Sequence, residues 1–94
     1  MNYKEILEMV NNRIKELKVK DLQELNTLSS DLYFMKQPLV LANEESIEFY
    51  AYCAIQNLCL TVDECRDKYL EKNITLTEIE RKIKSKWNTD YNKF

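Results

Sequence analysis

The sequence contains no glycine and no histidine, and Pro38 is its only proline. Sheets joined by tight turns need glycine where φ is positive, and phosphate-cradling loops need it where the backbone comes close to the ligand. A chain without glycine therefore points to helices and away from a P-loop or a dinucleotide-binding turn. Without histidine it lacks the commonest general base near neutral pH and the commonest metal ligand. It also cannot assemble a Ser–His or Cys–His nucleophile pair. The cysteines are Cys53, Cys59 and Cys65, an odd number with no CxxC spacing. They fit neither a disulfide framework nor a zinc site and read as small buried apolar residues in a reducing compartment. No apolar run approaches the ~20 residues of a membrane span, and the segment MNYKEILEM is charged and periodic, unlike a signal peptide. A cytoplasmic protein with no membrane association is expected.

What is present is one strongly apolar stretch, Ser46 to Val62, whose only polar residues are Ser46, Glu48, Gln56, Asn57 and Thr61. A helix apolar nearly all round is buried on several sides. The expected fold is all-α, a compact single-domain bundle of four to five short helices around a central helix at about 46–60. The first helix covers 2–18, with Asn2 as cap and the stripe Tyr3, Leu7, Val10, Ile14 and Leu17. The second runs from Leu22 to Gln37, with Asp21 and Glu24 as its capping pair and Pro38 at its end. Residues 38–42, PLVLA, form an apolar connector expected to be packed. Asn43 is expected to cap the central helix, with Glu44 and Glu45 in its first turn. The Thr61-x-x-Glu64 pattern predicts a break and a new helix to about Lys72, with Val62, Cys65, Tyr69 and Leu70 inward. One bent helix through 46–72 is the alternative, since no glycine or proline interrupts it. Asn73 is expected to take the left-handed turn. Thr75-x-x-Glu78 opens the last helix, with Leu76, Ile79, Ile83 and Trp87 on one side and Tyr91 and Phe94 in its tail.

The formal charge of −2 is unevenly spread: residues 1–20 carry +2, 21–73 carry −6 and 74–94 carry +2. The acidic middle has two groups, Glu44, Glu45 and Glu48, and then Asp63, Glu64, Asp67 and Glu71. Neither has the loop spacing of a calcium site, so no metal or other cofactor is expected and an enzyme is disfavoured. Such faces can mimic nucleic acid or dock on a basic protein. Aromatics exceed what five short helices must bury, so an exposed apolar patch for self-association, as a homodimer, or for a partner protein is expected. Tyr50, Tyr52 and Tyr69 are its candidate anchors.

Asn, Ile, Lys and Tyr make up 33 of 94 residues, and Lys outnumbers Arg 11 to 3. That bias is the one A/T-rich coding produces, as in low-GC bacteria and their phages. The composite expectation is a small non-enzymatic protein-binding protein, such as a phage or mobile-element inhibitor of a host nucleic-acid-handling defence enzyme. The competing expectation is a dimeric DNA-binding transcriptional regulator. It would use Arg81, Lys82, Lys84 and Lys86 on phosphates, with Trp87 available to stack. The negative net charge and the EKNI turn fit a helix-turn-helix reader poorly.

Overall fold

The computed structural model describes residues 3–91, with side chains described through residue 89. Four α-helices and no strand occur among them: α1 (Tyr3–Glu16), α2 (Leu22–Lys36), α3 (Ile47–Leu70) and α4 (Leu76–Tyr91), with a 3-10 turn at Gln37–Leu39. No helix among these residues is long and apolar enough to cross a membrane. The expected caps at Asn2 and the tail residues Tyr91 and Phe94 lie outside the described side chains.

The amphipathic stripes decide which faces meet. Ile6, Leu7, Val10 and Ile14 of α1, Leu25, Leu28 and Leu32 of α2, and Ile79, Ile83 and Trp87 of α4 are all buried. Each such side chain contributes about 1.5–3 kcal/mol when withdrawn from water. They converge on Ala51, Ile55, Leu58, Cys59, Val62 and Cys65 of α3. At 1.5 Å per residue α3 is about 36 Å long, nearly the 40 Å long axis of the molecule. It is the central strut, with α2 along one flank and α4 along the other. Lys36 meets Gln56, Ser29 meets Asp63 and Asn26 meets Arg66, so α2 and α3 run antiparallel as a hairpin. α1 lies across α4, where Asn11 meets Trp87, and ties to α2 through Arg13 and Asp31 at 3.5 Å.

The expected break at Thr61 does not occur. Helix α3 passes through it without interruption to Leu70. The Thr61 hydroxyl donates back to the Asn57 carbonyl at 2.9 Å and does not cap a new helix. Glu64, the other half of the supposed box, pairs forward with Lys68 at 2.9 Å. Continuity keeps Leu58, Val62 and Cys65 on one inward face, and a break would forfeit that burial. The same pattern at Thr75 does cap: its Oγ1 accepts the Glu78 N–H at 3.3 Å. Asp21 likewise accepts the Glu24 N–H at 3.2 Å, while the Glu24 carboxylate accepts from the Lys20 N–H at 3.0 Å.

Other boundaries move too. The first helix stops at Glu16, yet Leu17 and Val19 stay buried in the link beyond it. Asn43 does not cap α3. It closes its own turn by accepting the Glu45 N–H at 3.1 Å, and Ser46 becomes the cap by accepting from Phe49 at 3.0 Å. Glu44 and Glu45 therefore precede the helix. The connector 38–42 is packed only through Leu39, while Leu41 is 94% exposed. Leu70, expected inward, is exposed, and Cys53 is half-buried where Cys59 and Cys65 are buried.

The left-handed residue is Lys72, φ 62°, and not Asn73. The Lys72 N–H donates to Tyr69 at 2.9 Å and the Asn73 N–H to Lys68 at 3.0 Å, the two bonds of a Schellman closure. The reversal falls there because it turns Ile74 into the core. A β-carbon at positive φ costs about 1–2 kcal/mol. Lys72→Gly is therefore expected to stabilise the fold by about 0.5–1 kcal/mol after the added unfolded-state freedom is subtracted. Thermal unfolding would show a rise of a few degrees, and Lys72→Ala, which keeps the β-carbon, none.

Candidate functional site

The hairpin of α2 and α3 has a distinct tip. There α2 ends, the 3-10 turn and its connector reverse the chain, and α3 begins. Phe34 at 67% exposure, Val40, Leu41, Ile47 and Tyr50 are all open to solvent on this stretch. The reason is local. Gln37 keeps helical geometry, φ −54° and ψ −45°, but Pro38 lacks the N–H that would continue the helix ladder, and the chain passes into the short 3-10 turn. Leu39 alone tucks inward, and its neighbours point away. Pro38, Leu39, Leu41 and Ala42 line a hollow of about 360 Å³, with Asn43, Ser46 and Glu48 completing its wall.

Glu44, Glu45 and Glu48 are all exposed on the same stretch. Lys36 is the basic residue nearest in sequence. Its ammonium lies 5.2 Å from the Tyr33 ring centre and donates to Gln56 at 2.8 Å. The tip thus combines apolar and aromatic surface with carboxylates. Phe49 and Tyr50 meet edge-on, with ring centres 6.3 Å apart, as do Tyr33 and Phe34 at 6.4 Å.

The second acidic group is placed differently. Asp63, Glu64, Asp67 and Glu71 lie on the outer side of α3, but much of their charge is answered within the chain. Asp63 accepts from Ser29 at 3.2 Å and pairs with Arg66 at 3.2 Å. Glu64 pairs with Lys68, which with the nearby Lys82 holds its carboxyl below the ordinary carboxylate range. The same bond holds the Lys68 ammonium above its ordinary value. Glu71 accepts from Asn73 at 3.2 Å. Of the aromatic candidates, Tyr50 is half exposed at the tip, whereas Tyr52 and Tyr69 pack against the core.

Helix α4 divides its candidates as well. Trp87 is 1% exposed and its indole N–H donates to Asn11 at 2.8 Å, so its ring is not presented to a base. Lys84 is held by Glu80 at 2.6 Å. Arg81, Lys82 and Lys86 face a groove against α3. Burial pushes the Cys59 and Cys65 thiols up, which keeps them protonated near neutral pH and poor nucleophiles. No three Cys, Asp or Glu side chains among the described residues converge to hold a metal ion.

Sequence reasoning missed Phe34, Val40, Leu41 and Ile47 as site residues. The signal was there in PLVLA, an apolar run with too few residues to form a helix and a proline at its head. Comparison with known proteins finds no matching family model, no similar curated protein and no similar solved structure.

Proposed function

We propose that this protein is a non-enzymatic binding protein whose α2–α3 tip occupies a basic surface of another protein, of the kind with which nucleic-acid-handling enzymes hold phosphates. The observation that carries the reading is the concentration of exposed apolar side chains at one end of the molecule beside three exposed carboxylates. Apolar groups supply affinity when water is excluded, and the surrounding charge selects the partner and speeds encounter. The carboxylates stand where phosphates would meet such a partner. An inhibitor encoded by a phage or mobile element of a low-GC bacterium fits this arrangement.

The test is capture from a low-GC bacterial lysate on immobilised protein, with bound proteins identified by mass spectrometry. The wild type is expected to retain a nucleic-acid-handling protein at low salt. Glu44→Lys/Glu45→Lys/Glu48→Lys is expected to lose it by at least tenfold, and Leu41→Glu at the apolar centre to do the same. A partner retained equally by all three would place the contact elsewhere and sink the proposal.

A further inference from the structure

The seam between α3 and α4 carries a second charged surface, which the proposed function does not use. A groove of about 520 Å³ runs along it. Arg81, Lys82 and Lys86 of α4 line it, with the hydroxyls of Ser85 and Thr89 between and beyond them and Thr61 on the α3 wall. Positions 82, 85, 86 and 89 fall on one helical face, and Lys82 and Lys86 stand about 6 Å apart along the axis.

Among the described residues these cations are less committed than their neighbours, although Lys82 lies near enough to Glu64 to help hold its carboxyl down. Lys84 is committed to Glu80, and Glu64, the one carboxylate among the described residues of the lining, is paired with Lys68. Arg81, Lys82 and Lys86 make no ion pair among the described residues. Thr61 and Thr89 spend their hydroxyl protons on the carbonyls of Asn57 and Ser85, which leaves Ser85 as the hydroxyl able to donate outward. The cations are strung along the helix and do not converge on one point, which suits a chain of phosphates better than a single anion. Among the described residues no aromatic side chain lines the groove, and binders of single strands depend on such rings for stacking.

We propose that this groove seats the phosphodiester backbone of a nucleic-acid duplex through Arg81, Lys82, Lys86 and Ser85, without sequence preference. Contacts of this kind position a protein on a duplex and carry no base information. The proposal stands independently of the tip and its protein partner.

The experiment is fluorescence anisotropy of the full chain with a labelled mixed-sequence 20-base-pair DNA duplex, titrated at several salt concentrations. Three phosphate contacts release counterions so that affinity falls about 40-fold between 50 and 200 mM monovalent salt. Lys82→Gln/Lys86→Gln leaves one contact, and the fall should shrink to about 3- to 4-fold, with weaker binding at 50 mM. Lys18→Gln/Lys20→Gln, two exposed lysines after α1, should keep the wild-type salt response. The proposal is overturned by any of three results: no anisotropy change at 50 mM salt with protein at about 100 μM, an equal loss in both double variants, or tighter binding to the matching single strand than to the duplex.

Discussion

Trp87→Ala is expected to cost about 3–5 kcal/mol of folding stability, the range for deleting a large buried aromatic side chain. Total stability for a domain of this size is about 5–14 kcal/mol, so the variant would sit near the edge of folding at room temperature. Trp87 is 1% exposed, and it serves two purposes. Its ring fills the space between α4, α1 and the core, and its indole N–H is satisfied by Asn11 at 2.8 Å. The two can be separated. Asn11→Ala leaves the ring in place but removes this acceptor, with an expected cost of about 0.5–1.5 kcal/mol for the lost hydrogen bond. Trp87→Phe removes the donor and retains much of the apolar volume. Urea denaturation of the two single variants and the double variant would give a coupling energy of at least about 0.5 kcal/mol. A cost below about 1 kcal/mol for Trp87→Ala would mean that α1 and α4 do not pack in this way.

Glu64→Pro is expected to cost about 3 kcal/mol or more. In a helix capped by Thr61, residue 64 would be in the first turn, where its N–H has no backbone acceptor and proline would cost only the bond to the cap, about 1 kcal/mol. In the continuous α3 (Ile47–Leu70), residue 64 is interior. Proline there removes a hydrogen bond to Leu60 and clashes with that carbonyl. Glu64→Ala is the control. It deletes only the exposed pair with Lys68, worth about 0.5 kcal/mol or less. Chemical denaturation that found the two variants within about 1 kcal/mol of each other would restore the broken helix.

The comparison of Thr61 with Thr75 shows how far the sequence could be read. Both begin a T-x-x-E pattern, and only Thr75 caps. The pattern records a local preference. Whether the helix breaks depends on the packing that a break would gain or lose, and that is tertiary. After Thr75 a helix can start because Lys72 has already reversed the chain. At Thr61 a break would pull Val62 and Cys65 off a face that buries them completely or nearly so. The stripes of α1, α2 and α4 were legible because each has one apolar side and a cap or a proline near its ends. The central helix was legible as buried but not in extent, because a helix apolar nearly all round carries no phase with which to trace it.

The candidate site was legible in its charges and less so in its shape. Glu44, Glu45 and Glu48 stand out in any reading of charge along the chain. That Phe34 of α2 stands on the same end as Tyr50 of α3 comes only from the antiparallel register of the hairpin. The composition of PLVLA predicts a packed segment because apolar residues usually are buried. Its exposure results from a connector too short to turn more than Leu39 inward. For α4, the stripe Leu76, Ile79, Ile83 and Trp87 already put Trp87 on the apolar side, whereas the covering of that side by α1, with Asn11 on the indole N–H, comes only from the tertiary packing.

The pairing of α1 with α4 has a kinetic side. The seams of α2 with α3 and of α3 with α4 join helices adjacent in the chain, and Lys36 reaches Gln56 across only 20 residues. Asn11 and Trp87 are 76 residues apart, and closing that longer loop costs about 1.2 kcal/mol more in chain entropy. The three later helices can therefore assemble on short-range contacts at the rates of fast-folding bundles, with α1 as the element whose arrival waits on the others. Since Trp87 is the only tryptophan in the chain, the sealing of its indole against Asn11 makes intrinsic fluorescence a clock for that closing step.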